Sequence, residues 1–204
     1  MSSLIVLCPH CLTWIETHAQ CCTECAGDVN IEDDDPPVEE LDNRLGDWLQ
    51  DLGGAKLLRR GWPNIGRLIV STEGLLFVPH FVVRPNGALD AITEGAIAGP
   101  ARVKNLLHWW SLPVWRRPLD EPSASEVPPI PNQPLRNLLY DSPGAFFIER
   151  ETIRRISNRW GRIQIERTSA RMVSLAPIPG GTRLRESLRS LMEFASWRRI
   201  VAEL

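Results

Sequence analysis

Four cysteines near the start of the chain are the residues whose types and spacing could do chemistry. They form two Cys-x-x-Cys pairs separated by ten residues, namely Cys8, Cys11, Cys22 and Cys25. A Cys-x-x-Cys turn directs two sulfur atoms at one point, and two such turns facing each other supply the four thiolates of a tetrahedral zinc site. The spacing therefore predicts one structural Zn²⁺ with no coordination position open to water.

Three neighbouring observations leave alternatives to this ligand set open. His10 lies inside the first turn and would compete for the ion, although four sulfur atoms already complete a closed site. Cys21 stands beside Cys22 and could exchange roles with it. An iron site of the rubredoxin type uses similar turns. Because all five cysteines fall within residues 8–25, they favour a bound metal in a reducing compartment over a disulfide framework, and we expect a cytoplasmic protein.

The cysteine segment resembles the short zinc-ribbon family. In that family Cys-Pro-x-Cys is followed, after a short spacer, by Cys-x-x-Cys-Gly; here CPHC and CTEC match, but Ala26 replaces the glycine and Gly27 stands one place later. The resemblance implies a ribbon over residues 1–27. A module this small buries too little apolar surface to fold alone, so metal binding must supply its folding free energy, typically ~10–16 kcal/mol in zinc peptides.

The length and charge of the chain limit its class. With 204 residues, 43% of them hydrophobic and 24% charged, it has the composition of a globular protein. No apolar run approaches the roughly 20 residues of a membrane span. The net charge of −2 divides into −11 for residues 1–51, +3 for residues 52–135 and +6 for residues 136–204. We expect the acidic N-terminal part and the basic C-terminal part either to attract each other or to bind different partners.

Hydrophobic periodicity predicts the elements that follow the cysteines. Residues 28–40 form an acidic, solvated linker; the alternative, a calcium loop, would need spaced ligands and a central glycine. Apolar residues then recur at helical spacing over residues 38–52, with Gly53-Gly54 as the stop, which predicts an amphipathic helix. Residues 66–72 and 75–83 predict a β-hairpin. Further strands are predicted at 144–148, 163–166 and 172–175, and an amphipathic helix over 184–204.

Two stretches of this region resemble the GRAM type of the pleckstrin-homology-like superfold. Residues 66–77 (GRLIVSTEGLLF) look like the family's hairpin, and residues 148–156 (IERETIRRI) look like its strand-end segment. The resemblance implies an α+β protein: a small zinc ribbon plus a mainly antiparallel β domain closed by a C-terminal amphipathic helix. We therefore divide the chain into a ribbon (1–27), an acidic linker and helix (28–53) and a β domain (54–204). The family lacks the long insertion at about 84–143.

The insertion and the arginine-rich end supply a second set of candidate residues. These candidates for a lipid or partner surface are Trp109, Trp110, Trp115, Arg116, Arg117, Arg154 and Arg155. Tryptophan beside arginine is typical of a membrane interface, but also of a peptide groove or of an inserted helix that covers a sheet. Residues 118–134 contain six prolines and predict an exposed, extended loop.

No catalytic motif accompanies these features, so we expect a protein that is not an enzyme and has no evident small-molecule substrate. Our primary hypothesis is a zinc-ribbon adaptor that binds protein partners through the ribbon and the β domain. The alternatives are an anionic membrane surface, bound through the GRAM-like domain, and nucleic acid. Nucleic acid is disfavoured because phosphates repel the acidic ribbon region. We also expect a chelator to unfold the ribbon without affecting the β domain beyond its linker.

Overall fold

The computed structural model describes most of the ribbon and of the β-rich region. The described residues are 5–8, 10–16, 19–22, 25–29, 37–58, 64–83, 89–91, 127–130, 132–142, 144–168, 170–178 and 184–201. The candidate surface residues Trp109, Trp110, Trp115, Arg116 and Arg117 lie outside them, as does most of the insertion.

Ten strands form two antiparallel sheets in this part of the chain. They are β1 (Ile5–Leu7), β2 (Trp14–Glu16), β3 (Trp48–Leu58), β4 (Asn64–Ser71), β5 (Gly74–Val83), β6 (Leu89–Ala91), β7 (Phe146–Glu149), β8 (Ile153–Arg159), β9 (Arg162–Arg167) and β10 (Val173–Pro177). β1 pairs with β2 in the ribbon. The large sheet has the order β6-β5-β4-β3-β10-β9-β8, and β7 pairs with the first half of β5. A mainly antiparallel sheet with few helices agrees with the expected α+β class.

Three α-helices accompany the sheets among the described residues: α1 (Val38–Leu45), α2 (Leu135–Asp141) and α3 (Leu184–Ser190). Short 3-10 turns follow β7 at Arg150–Thr152 and α3 at Leu191–Glu193. None of the helices in the described ranges is long and apolar enough to cross a membrane.

The predicted hairpin is confirmed as β4 and β5. The register pairs Val70 with Leu75, so the turn residues are Thr72 and Glu73. The Ser71 hydroxyl oxygen accepts the backbone N–H of Gly74 at 2.9 Å and that of Glu73 at 3.2 Å. This side chain therefore satisfies backbone donors that a tight turn would otherwise leave unpaired.

The predicted helix over residues 38–52 is too long. α1 ends at Leu45 because Gly46 adopts a φ of +69° and donates its N–H to the Asp42 carbonyl. The next residues join the sheet, starting with reciprocal hydrogen bonds between Asp47 and Thr72. Trp48, Leu49 and Leu52 had extended the helical pattern, but they belong to β3, whose pairing with β4 outweighs local helical periodicity.

Two other sequence predictions are corrected by long-range packing. The C-terminal helix is only seven residues long, after which the chain turns so that Trp197 is fully buried and donates its indole N–H to the Ser71 carbonyl. Val201 then forms a parallel bridge to Ile156 of β8. In the described end of the proline-rich segment, Pro128, Pro129 and Pro134 are exposed and no helix or strand forms, as predicted, but Val127 and Ile130 are buried and pack this segment onto the fold.

The two largest hydrophobic cores in the described part of the chain lie on the sheet. The larger one joins β-strand side chains to Leu184, Leu188 and Trp197 of the C-terminal segment. The second core brings the ribbon to the β domain. It contains Leu7, Leu12, Leu41, Leu45, Ile69, Leu76, Val78, Ile130, Leu135, Leu138, Leu139, Ala145 and Phe147. Because Leu7 and Leu12 come from the ribbon, the structure does not support a ribbon that unfolds independently of the domain behind it.

Candidate metal centre

Four sulfur atoms converge between the two Cys-x-x-Cys turns. The Cys8 and Cys25 Sγ atoms lie 3.7 Å apart, those of Cys11 and Cys22 lie 3.6 Å apart, and all four are within 4.8 Å of one another. The cysteines are free thiols, because a disulfide would bring two sulfur atoms to about 2.0 Å. Tetrahedral coordination at a metal–sulfur distance of ~2.3 Å places the sulfur atoms ~3.8 Å apart, so this donor set could hold a metal ion.

Both turns reach this geometry through the same backbone conformation. The Leu12 N–H donates to the Cys8 carbonyl at 2.9 Å, and the Ala26 N–H donates to the Cys22 carbonyl at 2.8 Å. Leu12 and Ala26 have φ values of +52° and +57°, a region that costs non-glycine residues about 1–2 kcal/mol each. Residue 26 thus has a backbone conformation that favours glycine, but it is an alanine and not the glycine of the zinc-ribbon pattern.

Gly27 is needed for a different reason. A Cβ atom at this position would lie 2.4 Å from Cδ2 of the His10 ring. The ring packs against the Gly27 backbone, and its Nε2 atom lies 2.9 Å from the Asp28 carbonyl oxygen. The imidazole therefore fastens the two turns together, and the structure does not place it among the metal ligands.

The other alternative ligand is also outside the sulfur cluster. Cys21 is exposed and forms an isolated backbone bridge with Asp28, whereas its neighbour Cys22 is buried. The geometry therefore assigns the four predicted cysteines, and neither Cys21 nor His10, to the candidate site.

Two of the four thiols, those of Cys11 and Cys25, have a raised pKa in the folded protein. A hydrogen bond with Cys8, followed by burial, raises the pKa of Cys11 well above its ordinary value. Burial raises the pKa of Cys25 to about 11. A metal ion must displace these protons, so its binding is linked to pH. When four thiolates are bound, the tetrahedral coordination is complete, and the site stabilises structure instead of activating water.

Arg44 links this site to the rest of the molecule and was not among the residues singled out from sequence. Arg44 is a residue of α1. Its guanidinium donates hydrogen bonds to the His10 carbonyl of the ribbon at 3.1 Å and to the Glu149 carboxylate of β7 at 3.0 Å. The signal was present in the composition, since Arg44 is the one lysine or arginine among residues 1–51.

A cleft of about 250 Å³ lies at the junction of ribbon and sheet. His10, Cys11 and Gly27 line one side, while Phe147 and Arg167 contribute to the other. The Nε atom of Arg167 is buried and has no hydrogen-bond partner among the described residues. Residues of both the ribbon and the β domain therefore line this cleft.

The two described arginines of the candidate surface set differ in environment. Arg154 is exposed on β8, where the pairing with β9 shifts register, whereas Arg155 is half-buried. Comparisons with known proteins give no further assignment, because no family model, curated protein or solved structure matches this chain.

Proposed function

We propose that the chain is a non-enzymatic adaptor in which a structural Zn²⁺ holds a ribbon against a GRAM-like β domain. Zinc is the ion that four cysteine thiolates at this spacing typically bind in a reducing compartment such as the cytoplasm. The sulfur separations of 3.6 and 3.7 Å support the assignment, since both are close to the ~3.8 Å of a tetrahedral zinc thiolate site.

The GRAM-like assignment is supported by the order of elements. Antiparallel strands run from β3 to β10 and are followed by α3, whose Leu184 and Leu188 pack on the sheet. This is the arrangement on which the sequence resemblance rests.

The observation that carries the adaptor function is the bridge made by Arg44. One guanidinium contacts the ribbon at His10 and the β domain at Glu149, and thereby fixes α1 between them. Exposed acidic residues lie on both segments that Arg44 joins: Asp28 in the ribbon, and Glu39 and Glu40 at the start of α1. We take these three residues as the acidic face of the proposed adaptor. Opposite charges steer association and select partners, so the proposed partner is a protein with a basic surface.

The test is affinity capture by the full chain, followed by cross-linking to identify which residues touch the captured protein. Replacing Glu39 and Glu40 by Gln removes two charges from the face without altering the metal site. We expect this variant to lose the partner and to retain zinc, whereas the matched control Glu193→Gln, an exposed acid after α3, retains both. Equal capture by both variants, or cross-links confined to the opposite side of the sheet, would exclude the acidic face as the binding surface.

A further inference from the structure

The hairpin between β8 and β9 carries the most exposed large apolar side chain among the described residues. Trp160 is 91% exposed, and with Gly161 it forms a two-residue turn in which both residues have positive φ, +58° and +74°. Arg159 and Arg162 flank the turn and are direct cross-strand partners. The hairpin tip, residues 159–162, therefore presents one indole between two guanidinium groups.

The hairpin tip has two features that destabilise it locally. Turns of this kind favour Asn or Asp before Gly, and a bulky residue at positive φ is an outlier that costs free energy. Like charges directly opposite each other in a sheet also destabilise it. Because Trp160 is 91% exposed, its indole contributes little to packing within the chain. Local strain kept without a structural gain indicates a functional site.

The two arginines of the tip are available to a ligand. Both are exposed, and neither forms an ion pair or side-chain hydrogen bond within the part of the chain that the structure describes. β9 leads from the tip to Arg167, which lines the cleft beside the ribbon. Its length places the tip about 17 Å from that cleft, at ~3.4 Å per residue. This exceeds the Debye length of about 8 Å at physiological salt, so the acidic ribbon is largely screened from the tip.

We propose that the hairpin tip is an anchor for the surface of an anionic lipid bilayer. Trp160 enters the interface at headgroup depth, where indole rings are most stable, and Arg159 and Arg162 bind lipid phosphates. The site is distinct from the acidic face proposed for a protein partner and does not depend on that proposal. One indole and two arginines give reversible, salt-sensitive binding.

The shape of the tip favours a membrane over the other anionic polymers. Binding of single-stranded nucleic acid uses a basic groove that follows several phosphates, whereas this tip is convex and has two charges. A bilayer requires only a protruding point with an apolar side chain and adjacent cations.

The experiment measures binding of the full chain to phosphatidylcholine vesicles with and without phosphatidylserine. Trp160→Asn removes the indole and places at positive φ a residue that tolerates it, so the fold should be retained or stabilised. We expect at least about a ten-fold loss of partitioning. Arg159→Gln and Arg162→Gln should each weaken it about five-fold. The matched control is Arg171→Gln, an exposed arginine between β9 and β10, at the end of β9 away from the tip.

Lipids brominated on their acyl chains identify the tryptophan that enters the bilayer. We expect quenching of wild-type fluorescence that disappears in Trp160→Asn, and unchanged binding of Arg171→Gln. The proposal is overturned when the wild type does not bind anionic vesicles, or when Trp160→Asn binds and is quenched like the wild type. Retention on single-stranded DNA without vesicle binding would overturn it in favour of a nucleic acid.

Discussion

At the scale of single residues, the cysteine assignment makes the sharpest prediction. Cys11→Ser and Cys22→Ser should each lose the bound metal, because a hydroxyl does not replace a thiolate in a four-sulfur site. His10→Ala should retain one ion per chain, since the ring is hydrogen-bonded to the Asp28 carbonyl and is not a ligand. Elemental analysis of protein purified under reducing conditions measures the metal content.

Cys21→Ser is the matched control for these substitutions. It removes an exposed thiol next to a ligand and should leave the metal content at one ion per chain. Metal loss in Cys21→Ser or in His10→Ala equal to that in Cys22→Ser would contradict the ligand set.

His80 gives a prediction about acid stability. Burial, followed by the positive charge of Arg67, lowers the pKa of this histidine, so the folded state favours the neutral ring. A group with a lowered folded pKa contributes stability above its unfolded pKa of about 6.5 and loses it as pH falls through the folded value. His80→Asn should therefore flatten the decline of melting temperature below about pH 6.5, as thermal unfolding at a series of pH values would show. An equal decline of melting temperature below pH 6.5 in the wild type and in His80→Asn would contradict this prediction.

The sequence predicted the four clustered cysteines because a Cys-x-x-Cys turn is a matter of local spacing. Two Cys-x-x-Cys turns specify a four-sulfur site wherever they lie in a fold. The roles of Arg44 and Trp160 depend on what surrounds them: Arg44 meets Glu149 across 105 positions, and the exposure of Trp160 is a property of the folded hairpin. Neither the contact of Arg44 nor the exposure of Trp160 could be predicted from neighbouring residues in the sequence alone.

At the scale of elements, two glycines with positive φ allow a controlled comparison of glycine-to-alanine substitutions. Gly46 ends α1 at φ +69°, and a Cβ atom there would lie 2.2 Å from Thr72 Oγ1. Gly161 has φ +74° with nothing within 4 Å of the same position. Gly161→Ala should cost only the backbone strain, about 1–2 kcal/mol. Gly46→Ala should cost clearly more, because it also displaces the side chain that accepts the Asp47 N–H. Equal losses in denaturant unfolding would contradict this account.

Element types were predictable where the local pattern and the sheet agree. The β4–β5 hairpin was found because two β-rich apolar runs flank a two-residue turn that is followed by glycine. The start of β3 was misassigned because Trp48, Leu49 and Leu52 continue the helical spacing of α1, and the glycine that ends the helix at residue 46 precedes them. α2 was not predicted, although Leu138 and Leu139 follow Leu135 at the helical spacings of three and four, since the prolines before it indicated a loop.

At the scale of the whole molecule, the shared core predicts that metal removal affects the entire protein. Leu7 and Leu12 pack in one cluster with α1, α2 and β7, so loss of the ribbon fold exposes the face of the β domain. A chelator should lower the melting temperature of a single calorimetric transition. A separate ribbon transition with an unchanged second transition would show that the two parts are independent.

Leu12→Ala tests the same coupling with the metal ligands intact. The side chain is fully buried, and its removal should cost about 3 kcal/mol while leaving the backbone at φ +52°. In a chain of this size, that loss lowers the melting temperature by about 6–12 °C. Val38→Ala, at a position 58% exposed, is the control and should change stability by less than about 0.5 kcal/mol. A similar melting temperature for both variants would exclude ribbon docking as a source of stability.

The docking of the ribbon has a consequence during translation. The Trp14 indole N–H donates to the Leu139 carbonyl, 125 positions later in the chain. At about 5–20 residues per second, a ribosome needs roughly 6–25 s to synthesise the residues between them. During this interval Leu12 has no α2 or β7 to cover it, whether or not the four cysteines have bound an ion. For those seconds the nascent ribbon displays an uncovered apolar side chain, the kind of surface that chaperones bind and through which chains aggregate.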